Sequence, residues 1–314
     1  MFSGWIRKWP VNRPIREHEK EAALSRTKSP TIELDPTSVV AYNSTYMEVV
    51  DRAYRQRGGW YTLIGFLGGS AMCLLLSWMI IDTIFNSKNI KDDFYLYLVL
   101  GFGIIVVLAV PWFYVLRKDL FCHTYYPIRF NRKTRMVYVY REERDGGILR
   151  LPWNEGFYHI GRGLADKDII DLRCHVLDGD TVKDTFAIGM PFHTRTEDRI
   201  RGLWEQIRTY MDEGAKAAKP DFIYLSMKPT WKDAYLSVGA KFHAYNIILH
   251  ILFAPLMYPL IVTRWLVMKT CKQPNWPEDI EHACKVEKDD PQELPLPEYY
   301  CQLAVEHYDE HNLW

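Results

Sequence analysis

The chain has 314 residues, with 39 Lys and Arg against 39 Asp and Glu, 25% charged and 48% hydrophobic side chains. A formal net charge of zero excludes a nucleic-acid binder that relies on a basic surface. The length leaves room for a membrane segment, one globular domain and its appendages.

Residues 1–58 read as an amino-terminal arm in the cytoplasm, with Pro10, Pro14, Pro30 and Pro36 among mixed charges. Met1–Lys20 is interrupted by charges and Pro and has no apolar run, so no signal peptide is expected there. Within the arm, Tyr42, Tyr46, Val49, Val50 and Tyr54 recur at three- and four-residue spacing. That spacing predicts a short amphipathic helix over Ser38–Arg57.

Two uncharged apolar stretches follow, Trp60–Ile81 and Phe94–Leu116. A bilayer core of roughly 30 Å needs about 20 helical residues, so residues 59–117 are expected to form a two-helix transmembrane hairpin. Its charged link, Asp82–Asp93, belongs in water. Arg52, Arg55 and Arg57 precede the hairpin, and Arg117, Lys118, Arg129, Arg132, Lys133 and Arg135 follow it. The link carries only Lys88 and Lys91, so the bias of Lys and Arg places both flanks in the cytoplasm. Gly65 and Gly69 form a small-xxx-small pair in the first helix, and Gly101 and Gly103 lie in the second. Such a surface lets helices approach closely. Its partner is the other helix, a second copy of the chain or another membrane protein.

Residues 118–218 change periodicity. Pro127–Phe130 and Arg135–Arg141 flank the polar turn Asn131–Thr134, and Ile148–Leu151, Gly156–Ile160, Asp171–Leu177 and Thr181–Ile188 are further strand candidates. A helical face then runs through Ile200, Leu203, Trp204, Ile207, Tyr210 and Met211, with Thr194 and Glu197 spaced as a capping box and Gly214 placed as a stop. The expected fold is α+β: an antiparallel small barrel or curled sheet in the cytoplasm, closed by an amphipathic helix. The element order and Leu151-Pro152-Trp153-Asn154-Glu155 resemble bacterial pleckstrin-homology-like domains.

Residues 219–273 hold a third apolar stretch, Phe242–Thr263, interrupted by His243, Asn246, His250, Pro255 and Pro259. Arg264, Lys269 and Lys272 follow it and would lie on the wrong side after a third crossing. A kinked helix or helical hairpin dipping into the inner leaflet is therefore preferred to a span. Residues 274–314 form an acidic, Pro-containing tail that packs on the soluble domain through Tyr299, Tyr300, Leu303 and Trp314, or serves a partner.

The chemistry-bearing residues do not assemble into a familiar constellation. His307 and His311 have a helix-compatible metal spacing but read as a solvated helix end. His243 and His250 read as interfacial. Cys174 and His175 are neighbours in a strand and point to opposite faces. The six cysteines lack Cys-x-x-Cys pairing and read as reduced thiols. No nucleophile elbow, phosphate loop or dinucleotide fingerprint is present, so a non-enzyme without cofactor or metal is expected.

Several stretches carry a wider resemblance: Asn12-Arg13-Pro14, Asn43-Ser44-Thr45-Tyr46-Met47-Glu48, Pro127-Ile128-Arg129-Phe130-Asn131, the Leu151–Glu155 segment, Trp204 through Gly214, and Pro274-Asn275-Trp276-Pro277-Glu278. With these the chain resembles a family of bacterial inner-membrane proteins, a domain of unknown function often encoded beside type VI secretion effectors. The resemblance implies a multi-pass inner-membrane protein acting as an immunity factor against a membrane-active effector toxin. An adaptor or chaperone that loads an effector, and a membrane-tethered lipid-sensing module, are the alternatives it leaves open.

Overall fold

The computed structural model describes residues 9–26, 32–86, 99, 101–103, 106, 110, 112–113, 116–163, 168–242 and 247–304. They divide into two compact units. The first comprises residues 1–55, 123–236 and 273–314, and the second residues 56–122 and 237–272.

The first unit is built on two open antiparallel sheets. One has the order β1-β9-β8-β7, from β1 (Arg13–Pro14), β7 (Gly156–Arg162), β8 (Ile169–Asp178) and β9 (Thr181–His193). The other has the order β2-β3-β4-β5-β6, from β2 (Val39–Tyr42), β3 (Tyr46–Val49), β4 (Ile128–Asn131), β5 (Met136–Val139) and β6 (Leu149–Pro152). The expected strands are present, but the barrel or curled, pleckstrin-homology-like sheet is not: β1 and β7 end one sheet and β2 and β6 the other, so neither closes on itself. The inner faces of both sheets share one core with helix α3 (Glu197–Asp212), whose Ile200, Leu203, Trp204, Ile207, Tyr210 and Met211 are all buried. Trp153 sits at its centre, stacked on Trp204 at 5.6 Å and edge-on to Phe130 at 6.0 Å.

Two local expectations are corrected. Ser38–Arg57 is not an amphipathic helix; it forms β2, β3 and a single turn at Tyr54–Gln56. Its Val and Tyr residues favour a pleated surface, and Asn43 breaks the run by accepting hydrogen bonds from the amides of Thr45 and Tyr46. Thr194 and Glu197 form no capping box: Thr194 opens a 3-10 turn, α3 begins at Glu197, and Glu197 pairs with Arg201. Gly214 does end that helix, at φ +109°, with its amide on the Thr209 carbonyl.

The tail belongs to this unit. Ile280 of helix α6 (Glu278–Ala283) and Cys284 just after it pack on Tyr138, Ser44 is gripped by the Asp290 carboxylate, and the Leu294 amide bonds the Tyr42 carbonyl. Under the tail lies a buried ion pair. Arg129 Nε donates to Glu48 Oε2 at 2.8 Å, and its guanidinium is held between the rings of Tyr46 and Trp276.

In the second unit, α2 (Trp60–Asn86) and α5 (Ile247–Thr270), the helix after α4 (Trp231–Gly239), are each long and apolar enough to cross a membrane. In chain order they flank the mixed α/β unit. Ile64, Leu67, Leu74, Leu75 and Trp78 on α2, and Ile248, Ile251 and Leu252 on α5, are exposed, as lipid-facing residues are. These two helices support membrane association. Most of the expected second hairpin helix, Phe94–Leu116, lies outside the described residues. From Ile247 on, the third apolar stretch is one continuous helix with Pro255 and Pro259 inside it, so no helical-hairpin turn falls within residues 247–263.

Candidate functional site

The sheet β1-β9-β8-β7 has a second face, turned away from the core. Alternation along β7 sends Tyr158 inward and Phe157, His159 and Gly161 to this face. On β8, Cys174 lies in the core while Arg173 and His175 lie opposite His159 and Phe157. Thr185 of β9 is the partner of His175. Polar residues on an outer face would normally meet water, but here they are covered by the amino-terminal arm. β1 adds to β9, and α1 (Glu17–Glu21) is followed by residues that bond to β7, with the Leu24 amide on Tyr158 and the Ile160 amide on Ala22.

The arm delivers Glu19 to the two histidines. Arg13 forks the Glu19 carboxylate at 2.6 and 2.7 Å, and the Arg16 amide donates to Oε2 at 3.0 Å, fixing the start of α1. Glu19 Oε1 lies 3.5 Å from His175 Nε2. The Nδ1 of His175 is 2.7 Å from Thr185 Oγ1, and the rings of His159 and His175 are 4.2 Å apart. His159 is 0% exposed, and neither of its ring nitrogens has a hydrogen-bond partner among the described residues. Beside them, Asp171 forms ion pairs with Arg173 at 2.6 Å and Arg52 at 2.9 Å, and Arg173 lies over the ring of Trp9.

Burial decides the charge states. It pushes the His159 imidazolium down to about 3, helped by His175 and Arg173, and the His175 imidazolium down to about 4, helped by Arg13. Both rings are neutral at pH 7. Burial alone would raise the Glu19 carboxyl, but the Arg13 fork and the Arg16 amide outweigh it and hold it down to about 2. The arrangement is thus two neutral imidazoles and one carboxylate, converging from three chain segments in a water-poor space.

The glycines singled out in the sequence lie in the other unit. A Cβ on Gly65 would meet the Leu116 side chain at 2.9 Å, one on Gly69 would run into the Trp112 indole, and one on Gly101 would meet the Ile80 side chain at 2.8 Å. Gly103 has nothing within 4 Å. Trp112 also donates its indole N–H to the Gly65 carbonyl. Gly65 and Gly69 are therefore filled from within the chain. His243, His307 and His311 lie outside the described residues, and the His250 ring packs edge-on to Tyr258. Sequence reasoning separated Cys174 from His175 but missed the Glu19, His159 and His175 set. Period two put the histidines on one face, yet nothing local tied that face to Glu19.

The model of a family of unknown function, DUF6708, matches residues 105–288, more than half of the chain. The chain belongs to DUF6708. The matched part of this DUF6708 chain carries β4–β9 with both histidines, α3 and α5, while Glu19 and its arm lie before it. Comparison with the curated proteins gave no match, nor did comparison with the solved structures.

Proposed function

We propose that this DUF6708 chain is a non-catalytic immunity protein of the bacterial inner membrane. It protects against a membrane-active effector delivered by type VI secretion, with its amino terminus and β unit in the cytoplasm. The observation that carries this reading is the pair of long apolar helices with exposed apolar side chains, α2 and α5. A pore-forming toxin does its damage within the bilayer, and a protein resident there meets it before a conducting assembly forms. The Lys and Arg flanking residues 59–117 support the cytoplasmic orientation. Gly65 and Gly69 are occupied by the chain's own side chains, so toxin contact falls to the outward residues of the helices or to the β unit.

The test is a competition between a strain lacking this gene and its parent, with the parent's secretion apparatus active or disabled. Killing of the deletion strain by the active parent alone, with rescue by a plasmid copy, is the expected result. Equal survival against both parents overturns the reading.

A further inference from the structure

We propose that Glu19, His159 and His175 form a binding site for a divalent zinc-type cation, bound between the outer face of the β1-β9-β8-β7 sheet and the amino-terminal arm. This goes beyond the immunity reading and does not depend on it. One ligand atom from each residue can be chosen so that all lie within 4.8 Å of one another, and all three side chains are buried. That spacing is close to what a single ion gathers with modest side-chain rotation.

Three further features point to a cation. His159 is a fully buried imidazole whose nitrogens both lack partners among the described residues, a state that a ligand would relieve. His175 has its Nδ1 2.7 Å from Thr185 Oγ1 and its Nε2 3.5 Å from Glu19 Oε1; with Nδ1–H donating to Thr185, the Nε2 lone pair would face a cation held by Glu19. Metal-binding histidines are usually oriented in this way through their other ring nitrogen. Burial also keeps both rings in the neutral form that binds metals.

The donor set selects the ion. Two imidazole nitrogens and one carboxylate suit zinc and its neighbours better than calcium or magnesium, which prefer all-oxygen shells. Arg13 takes one lone pair on each Glu19 oxygen and the Arg16 amide takes the second on Oε2, which leaves one on Oε1, the oxygen nearest His175. Asp171 is matched by Arg173 and Arg52, so it neither adds to nor blocks the set. Three protein ligands leave a fourth position for water. Because Glu19 comes from the arm and the histidines from the sheet, the cation would clasp one to the other.

The experiment uses the full chain, tag-free in detergent micelles, stripped with a chelator and titrated with cobalt(II) chloride. Visible cobalt absorption saturating at one ion per chain, and bleached by added zinc chloride, is expected. His159→Asn should weaken cobalt binding roughly tenfold or more, whereas His282→Asn, at an exposed histidine, should leave it unchanged. Absence of cobalt absorption in the unaltered chain, or equal binding by His159→Asn, overturns the proposal. If His159→Asn does not fold, zinc-edge X-ray absorption of the unaltered chain decides. Two imidazoles with oxygen ligands support the site, and a sulfur or all-oxygen shell refutes it.

Discussion

Arg129→Met should destabilise the first unit by about 3 kcal/mol. The guanidinium is buried, donates to Glu48 at 2.8 Å and lies over Tyr46 at 4.2 Å and Trp276 at 4.8 Å. Burial would lower its pKa, but the Glu48 carboxylate outweighs this and holds it above the ordinary value. Removing one partner of a buried ion pair costs about 3–5 kcal/mol, because the other charge stays in a poor solvent. Glu48 keeps two donors, the Tyr125 hydroxyl at 2.9 Å and the Trp276 indole at 3.2 Å, which puts the loss at the lower end. Methionine also keeps some packing between the rings. A loss of about 3 kcal/mol is roughly a 150-fold fall in the folding equilibrium constant. Urea unfolding in mild detergent, followed by tryptophan emission, measures it. Glu48→Gln combined with Arg129→Met should recover more than half of the loss, since no buried charge is then stranded. A single variant within about 0.5 kcal/mol of the native chain, or a double variant no better than the single, would refute the reasoning.

Further outcomes follow from other contacts. Trp153→Ala should cost about 3–5 kcal/mol in the same urea assay, since it empties the centre of the core and strips a donor from Asp212; a loss below about 1 kcal/mol would mean that the core is not built around this ring. Gly69→Ala forces a Cβ into the Trp112 indole, whereas Gly68→Ala meets nothing within 4 Å. The first should lower the thermal unfolding midpoint and the second leave it in place, and equal effects would contradict the packing. Asp290→Asn should loosen the tail, measured as faster proteolysis after Glu287. Burial would raise the Asp290 pKa, but its bonds from Ser44 and the Gln292 amide outweigh that and lower it from 3.8. Its contribution is therefore present above that value and lost as pH falls through the lowered one, so the two chains should converge in strongly acidic buffer. Divergence that persists there would rule out the carboxylate as the anchor.

The strands from Ile128 to Ile188 and helix α3 were legible because alternation and three-to-four spacing are local signals. Residues 38–57 were misread because Tyr42, Tyr46, Val49 and Val50 satisfy helical spacing by accident, while the β-branched and aromatic content and the Asn43 turn carried the truth. The closure into a barrel failed for a different reason: periodicity says which face is apolar, not which strand edges meet. The metal-ligand set was illegible because it depends on long-range pairing. His159 and His175 come together only through the β7–β8 register, and Glu19 only because the arm returns to bond Tyr158 and Ile160.

The chain's three-part weave through the first unit acts as a parity rule for the membrane. Residues 1–55, 123–236 and 273–314 fold into one compact body, with β3 paired to β4 across the first excursion and Leu294 bonded to Tyr42 across both. A folded body of this kind cannot straddle a bilayer, so each excursion must leave and return on one side. If residues 56–122 enter a bilayer, they therefore cross it an even number of times, as a hairpin does. The same count would hold for residues 237–272, which leaves no place for α5 as a lone span although its length suits one. Residues 237–246 are too few for a second helical crossing of a core of roughly 30 Å, so under that count both ends of α5 share the compartment of the sheets. A cysteine-labelling map with probes on the two flanks of α5 reads that parity directly.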